Sequence, residues 1–205
     1  MNIVQGLLDI GAIRINIEEP FIWTSGIRSP IYCDNRKSLG HYALRHSIAC
    51  KLTEIIKDKF PQAELIGGTA TAGIPHATSV ADIMELPLVY FRSKPKEHGT
   101  ASAIEGDYAK GAKIVIIEDL ISTGGSVLKA VDYAREAGLE VLGVVAIFNY
   151  LLKKGMDNFE KAGIALYSAA SFTDMEQVLR LNASQAEFLA KWRQNPSDDT
   201  IWNNG

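Results

Sequence analysis

The chain has 205 residues, which suits one core with an attached subdomain and excludes two full-size domains. Apolar residues make up 47%, which excludes disorder for most of the chain, and 21 basic residues against 24 acidic ones leave a net charge of −3. That balance implies no duplex-binding face, which needs a basic excess or stripe. The longest uncharged run, residues 65–81, is shorter than the roughly 20 apolar residues of a spanning helix. The N-terminal MNIVQGLLDIGAIR has no basic start and carries Asp9 inside its apolar stretch, unlike a secretory signal. Cys33 and Cys50 form no metal-type spacing and no disulfide framework. These features lead us to expect a cytoplasmic protein without structural zinc, nucleic-acid partner or membrane partner.

In chain order, residues 1–36 mix a short amphipathic helix with extended segments marked by aromatics and prolines. Residues 41–60 place Leu44, Ile48, Leu52, Ile55 and Ile56 on one stripe, which predicts a helix. Residues 64–67 predict a strand closed by a Gly67-Gly68 turn, and residues 74–86 a helix that tolerates Pro75 in its first turn. A strand follows at residues 88–91. Residues 93–110 are polar, contain Gly99 and Gly106, and have the length of a lid. The continuous apolar run KIVII at residues 113–117 predicts a strand buried on both faces. Residues 125–137 predict a helix stopped by Gly138, and residues 141–148 the next buried strand. Thr173…Glu176 and Ser184…Glu187 read as capping boxes that start two short helices. Residues 195–205 read as a loose polar tail. Strand–helix–strand units in this order predict an α/β fold with a parallel sheet. We expect a single domain with its core at about residues 37–150 and a cap from about 1–36 and 151–195.

The most informative stretch is IVIIEDLISTGGS, residues 114–126. A buried strand ends in two carboxylates, Glu118 and Asp119, and then Ser122, Thr123, Gly124, Gly125 and Ser126 lead into a helix. In parallel α/β sheets, ligands bind at this end of the strands. Glycine allows close approach of the backbone, and free N–H groups at a helix start bind phosphate. Acid and phosphate turn a few residues apart suit a ligand with hydroxyls or Mg2+ at one end and a phosphomonoester at the other. A ribose 5-phosphate fits. The pattern is neither GK[ST] nor GxGxxG.

This segment resembles the phosphoribosyl-diphosphate (PRPP) binding motif of the type I phosphoribosyltransferases. The resemblance extends to the orotate phosphoribosyltransferases in the form common in Gram-positive bacteria. It is carried also by FIWTSGIRSPIYCDNR (residues 21–36), GGTATAGIPH (67–76) and RSKPKEHG (92–99). It implies that family's fold, a central mostly parallel sheet flanked by helices with a small cap from both chain ends. It implies PRPP contacts at Arg92, Lys96, His98, Thr71, Ala72, Glu118, Asp119, Leu120, Ile121, Ser122, Thr123, Gly124, Gly125 and Ser126. Lys96, His98 and Asp119 are the implied catalytic residues. Ser122 lies where the family places a base contact, and we add Arg28 and Tyr32 as donor and stacking partner for a planar anionic base. Mg2+ is implied through PRPP and waters near Glu118 and Asp119, with no direct protein ligand. A homodimer is implied, with the lid reaching the neighbouring site. Some relatives' residues are absent: Ser93 follows the arginine where many have lysine, and enterobacterial contacts are replaced at Thr24, Thr71, Ala72 and Asn149.

The implied activity is transfer of the 5-phosphoribosyl group from PRPP to orotate, giving orotidine 5′-monophosphate and diphosphate. Two alternatives share the acidic motif: a purine phosphoribosyltransferase, and a regulator that keeps the fold but binds nucleic acid.

Overall fold

Ile114, Val115, Ile116 and Ile117 are all fully buried, as a strand covered on both faces requires. The computed structural model describes residues 1–23, 25–93 and 103–203. The chain begins with α1 (Ile3–Asp9), β1 (Ile13–Ile15), β2 (Phe21–Ile22), β3 (Arg28–Ser29), β4 (Ile31–Cys33) and a 3-10 turn at Asn35–Gly40. It continues with α2 (Tyr42–Lys59), β5 (Leu65–Thr69), α3 (Gly73–Met84), β6 (Leu88–Phe91) and β7 (Ile104–Glu105). Then come β8 (Lys113–Ile121), α4 (Gly125–Glu136), β9 (Glu140–Asn149), α5 (Lys153–Ala162) and β10 (Ala165–Ser171). The last elements are α6 (Phe172–Leu179), α7 (Ala183–Gln194) and a 3-10 turn at Asp199–Asn203. Six strands form the central sheet in the order β10-β9-β8-β5-β6-β7, parallel except for β7. Apolar clusters cover both faces: Val115 and Ile117 pack with α2 and α3, and Ile114 and Ile116 with α4.

The sheet departs from the sequence expectation in four places. Gly67 and Gly68 lie inside β5, not in a turn after it. A Cβ on Gly67 would stand 2.6 Å from the Phe91 ring, and one on Gly68 2.8 Å from Ala77 Cβ. These glycines therefore permit close packing of neighbouring elements, not a reversal of the chain. Within the expected lid, Ile104 pairs with Phe91 and Glu105 with Tyr90. The polar excursion thus begins and ends on an antiparallel hairpin and is shorter than residues 93–110. β8 extends through both acids to Ile121. β10, expected in the cap, is an edge strand of the central sheet paired along β9.

The C-terminal helices start two residues earlier than expected. Ser171 and Asp174 form the capping box of α6, and Asn182 and Gln185 that of α7. Both frames offer hydroxyl, amide or carboxylate groups at the right spacing, and for α6 the end of β10 at Ser171 sets the earlier one. The tail is also less loose than expected, because Trp202 packs edge-on against Phe188 at 4.9 Å between ring centres. The two chain ends meet in an aromatic group: Trp23 lies 5.0 Å from Tyr150 and 5.7 Å from the buried Trp192. The Trp192 indole N–H donates to the Arg28 carbonyl at 2.9 Å. Among the described residues, no helix is long and apolar enough to cross a membrane.

Candidate active site

Side chains alternate across a strand, so the adjacent acids of β8 point to opposite faces. Glu118 follows Ile114 and Ile116 toward α4, and Asp119 follows Val115 and Ile117 toward the N-terminal segment. Glu118 is buried, with one carboxylate oxygen accepting from the Asp119 N–H at 3.0 Å and the other 3.4 Å from the Ser126 hydroxyl. Burial, and next the Asp119 charge, push Glu118 up from 4.5 to about 8. Asp119 is half-buried, and burial raises it as well. A side-chain hydrogen bond with Glu118 opposes that rise first, and the Arg36 charge less, so the two carboxyls meet although they leave the strand on opposite faces. The pair holds a proton more tightly than two solvated acids.

The turn after β8 is fixed from the side by α5. Gly124 has φ +76° and precedes the first residue of α4, and a Cβ there would stand 2.6 Å from the Phe159 ring. Gly155 lets α5 lie against the Ser122 carbonyl, where any side chain would collide. The Asn158 amide donates to the Thr123 carbonyl at 2.9 Å. Gly124 and Ala72 are the N-cap positions of α4 and α3. Neither has a side-chain acceptor for the first-turn N–H groups, so both helix starts suit an anion. Thr71 is exposed and Ala72 half-buried ahead of α3, and the Ala70–Thr71 peptide bond is cis.

Two cavities border the turn after β8. The smaller, of about 120 Å³, is lined by Thr69, Ala70, Phe91, Arg92, Ser93, Ser126, Lys129, Ala130 and Tyr133. Arg92 reaches Glu105 across the hairpin at 3.0 Å. The larger, of about 550 Å³, is lined by Ile22, Trp23, Ser25, Tyr32, Cys33, Leu120, Ser122 and Tyr150. Ser122 borders one cavity and Ser126 the other, so the turn lies between them. Of the residues expected to contact a base, Tyr32 and Ser122 line the larger cavity. Arg28 does not, because its guanidinium lies 5.2 Å over the Trp202 ring. The Ile121 side chain is core, leaving only its backbone toward the turn. Lys96 and His98 lie outside the described residues, as do Thr24 and Lys94.

Sequence reasoning missed Asn35, Lys129, Tyr133, Cys33 and Tyr150 at the cavities and acids. Lys129 and Tyr133 had a usable signal, standing three and seven residues after Ser126 on one helix face. Cys33 and Tyr150 had none, since an isolated thiol and an aromatic at a strand end read as packing. His76 is buried at the start of α3, and burial lowers it to about 4, so it is neutral near pH 7.

The phosphoribosyl transferase domain family matches residues 43–165. An orotate phosphoribosyltransferase of Bacillus cereus (strain G9842) is 47% identical over 201 residues, covering 96% of each chain. That of Halalkalibacterium halodurans is 48% identical over 205 residues, covering 98% of each. Among solved structures, orotate phosphoribosyltransferase from Aeropyrum pernix superposes with a TM-score of 0.78 at 28% identity, covering 88% of this chain and 99% of that one. With near-full-length relatives at this identity, and a parallel sheet that carries its acids beside a glycine–hydroxyl turn, the chain belongs to the orotate phosphoribosyltransferase family.

Proposed function

We propose that the chain transfers the 5-phosphoribosyl group from PRPP to orotate, giving orotidine 5′-monophosphate and diphosphate in pyrimidine biosynthesis. The observation that carries this reading is the passage of an acid-bearing strand into an uncapped helix start, with a cavity on each side. The orotate nitrogen attacks ribose C1 as the bond from C1 to the diphosphate oxygen breaks, so no protein nucleophile is required. Positive charge grows on the sugar and negative charge on the leaving group, and catalysis is positioning plus electrostatics.

In this scheme residues 122–126 hold the 5′-phosphate through N–H and hydroxyl groups. Glu118 and Asp119 hold the ribose hydroxyls and metal-bound waters, and Thr71 and Ala72 border the diphosphate. Arg92, with Lys96 and His98, supplies cations to the leaving group and excludes water. Orotate occupies the larger cavity beside Tyr32 and Ser122. Two adjacent carboxylates with raised proton affinity are hard oxygen groups that suit Mg2+ held through waters and substrate. When bound, Mg2+ supplies Lewis-acid stabilisation of the diphosphate.

The direct test is orotate absorbance with PRPP and Mg2+ in the cytoplasmic pH range. We expect Mg2+-dependent loss of orotate and no comparable turnover of hypoxanthine, guanine or uracil. Preferred turnover of a purine would overturn the substrate assignment and leave the fold intact.

The proposal includes a homodimer whose lid cations complete the neighbouring site. Asp119→Asn and Lys96→Ala homodimers should then each be nearly inactive, while mixed dimers hold one intact site. Random reassociation into closed two-fold dimers should restore about a quarter of wild-type activity per subunit. Mixed dimers that form and stay as inactive as their parents would place the lid in its own site.

A further inference from the structure

Asn35 is fully buried in the turn between β4 and α2, far in sequence from the acids. Its side-chain N–H donates to the main-chain carbonyl of Asp119 at 2.6 Å. The sheet explains why that carbonyl needs a partner from outside. On one side, β9 pairs with β8 as far as Ile121; on the other, the pairing of β5 stops at Gly68 with Ile117. Past that point, among the described residues, no strand pairs with β8 on the β5 side, and an unpaired carbonyl there would carry a desolvation cost.

The orientation of the Asn35 amide is fixed from its other end. The Cys33 thiol donates to the Asn35 side-chain oxygen at 3.3 Å. Burial raises Cys33 well above its ordinary value, so the thiol keeps the proton it donates. With the oxygen taken, the NH2 group is directed at Asp119. The flanking residues close the turn: Arg36 binds the Asp34 carboxylate through two nitrogens, at 2.6 and 2.9 Å. Ser38 donates to the Asn35 carbonyl at 2.6 Å.

We propose that Asn35 is a positioning residue for the phosphoribosyl transfer, setting the peptide plane of Asp119 and hence the direction of its carboxylate. The inference rests on the assignment of Asp119 to the ribose under the proposed function. Asn35 stands in for the missing strand at the one point of β8 where a small rotation would re-aim the acid. Rates respond steeply to such misplacement, about 10²-fold for 1 Å.

The test is steady-state kinetics with orotate, PRPP and Mg2+, together with thermal melting, for wild type, Asn35→Ala, Asn35→Ser and Ser38→Ala. Ser38→Ala loosens the same buried turn without removing the bond to Asp119. We expect Asn35→Ala to lower kcat about 10–100-fold, with the orotate KM within about twofold of wild type. Ser38→Ala should lose thermal stability while keeping kcat within about threefold. Asn35→Ser is too short to reach the carbonyl, retains a polar group in the turn, and carries the same expectation should the alanine variant not fold. The inference is overturned if the folded Asn35 variants keep kcat within about threefold, or if Ser38→Ala loses kcat in the same proportion at equal loss of melting temperature. Wild-type protein inactive on orotate would overturn the proposed function instead, so the two failures are distinguishable.

Discussion

The two faces of β8 treat neighbouring acids differently. On the α4 face, Glu118 is 6% exposed and is held by the Asp119 N–H and the Ser126 hydroxyl. On the opposite face, Asp119 is half-buried, near the Asp34–Arg36 pair, with its carbonyl tied to Asn35. Period-two alternation therefore turns one dipeptide into two sites: a buried carboxyl that favours its proton, and a more accessible one nearer the N-terminal segment. The difference teaches that two acids are tolerated side by side here because their carboxyls share a side-chain hydrogen bond and need not both ionise.

The largest effect that separates the faces is expected from Asp119→Asn, which preserves shape and removes charge. Losing a preorganised electrostatic contact costs about 10²–10³ in rate, so kcat should fall by that amount with little change in melting temperature. Activity within a few-fold of wild type would reduce Asp119 to a solvated strand-end acid. Next is the turn between the faces. Gly155→Ala places a methyl against the Ser122 carbonyl. It should lower kcat/KM for PRPP by about tenfold or more through displacement of the turn. An unchanged PRPP profile would mean that α5 does not set the turn. The smallest effect belongs to the buried face and is read as stability. With Glu118 raised from 4.5 to about 8, the folded state binds the proton better than the unfolded chain. The stability linked to this group is complete below about pH 4.5 and is lost as pH rises through about 8. Glu118→Gln should remove that loss and melt higher than wild type above pH 8, with no such advantage near pH 5. Parallel melting curves of the two proteins from pH 5 to 9 would contradict the assignment of the proton to Glu118.

Much of this was legible in residues 114–126, where four apolar residues, two acids and a glycine–hydroxyl turn occur together. Their roles depend on local order, which sequence preserves. Arg28 shows the limit. It stands in a segment that resembles the family, yet its guanidinium lies over Trp202, from the far end of the chain. The Gly67-Gly68 pair is a second case. Glycine pairs signal a turn unless two neighbouring elements need the space, and that need comes from Phe91, Ile114 and Ala77 on other elements.

The sequence by itself determined the α/β class, the central strand, the acid pair and the phosphate-suited turn, because periodicity and short-range spacing encode them. Only the tertiary structure decided which partners Glu118 and Asp119 meet, and that β5 stops short of Asp119 so that Asn35 fills the gap. It also decided that α5 braces the turn through Gly155 and Asn158. The physical reason is common to all three. An orphaned carbonyl, a buried charge or a close backbone contact is satisfied by whichever group the fold brings near, and those groups lie tens of residues away in the chain.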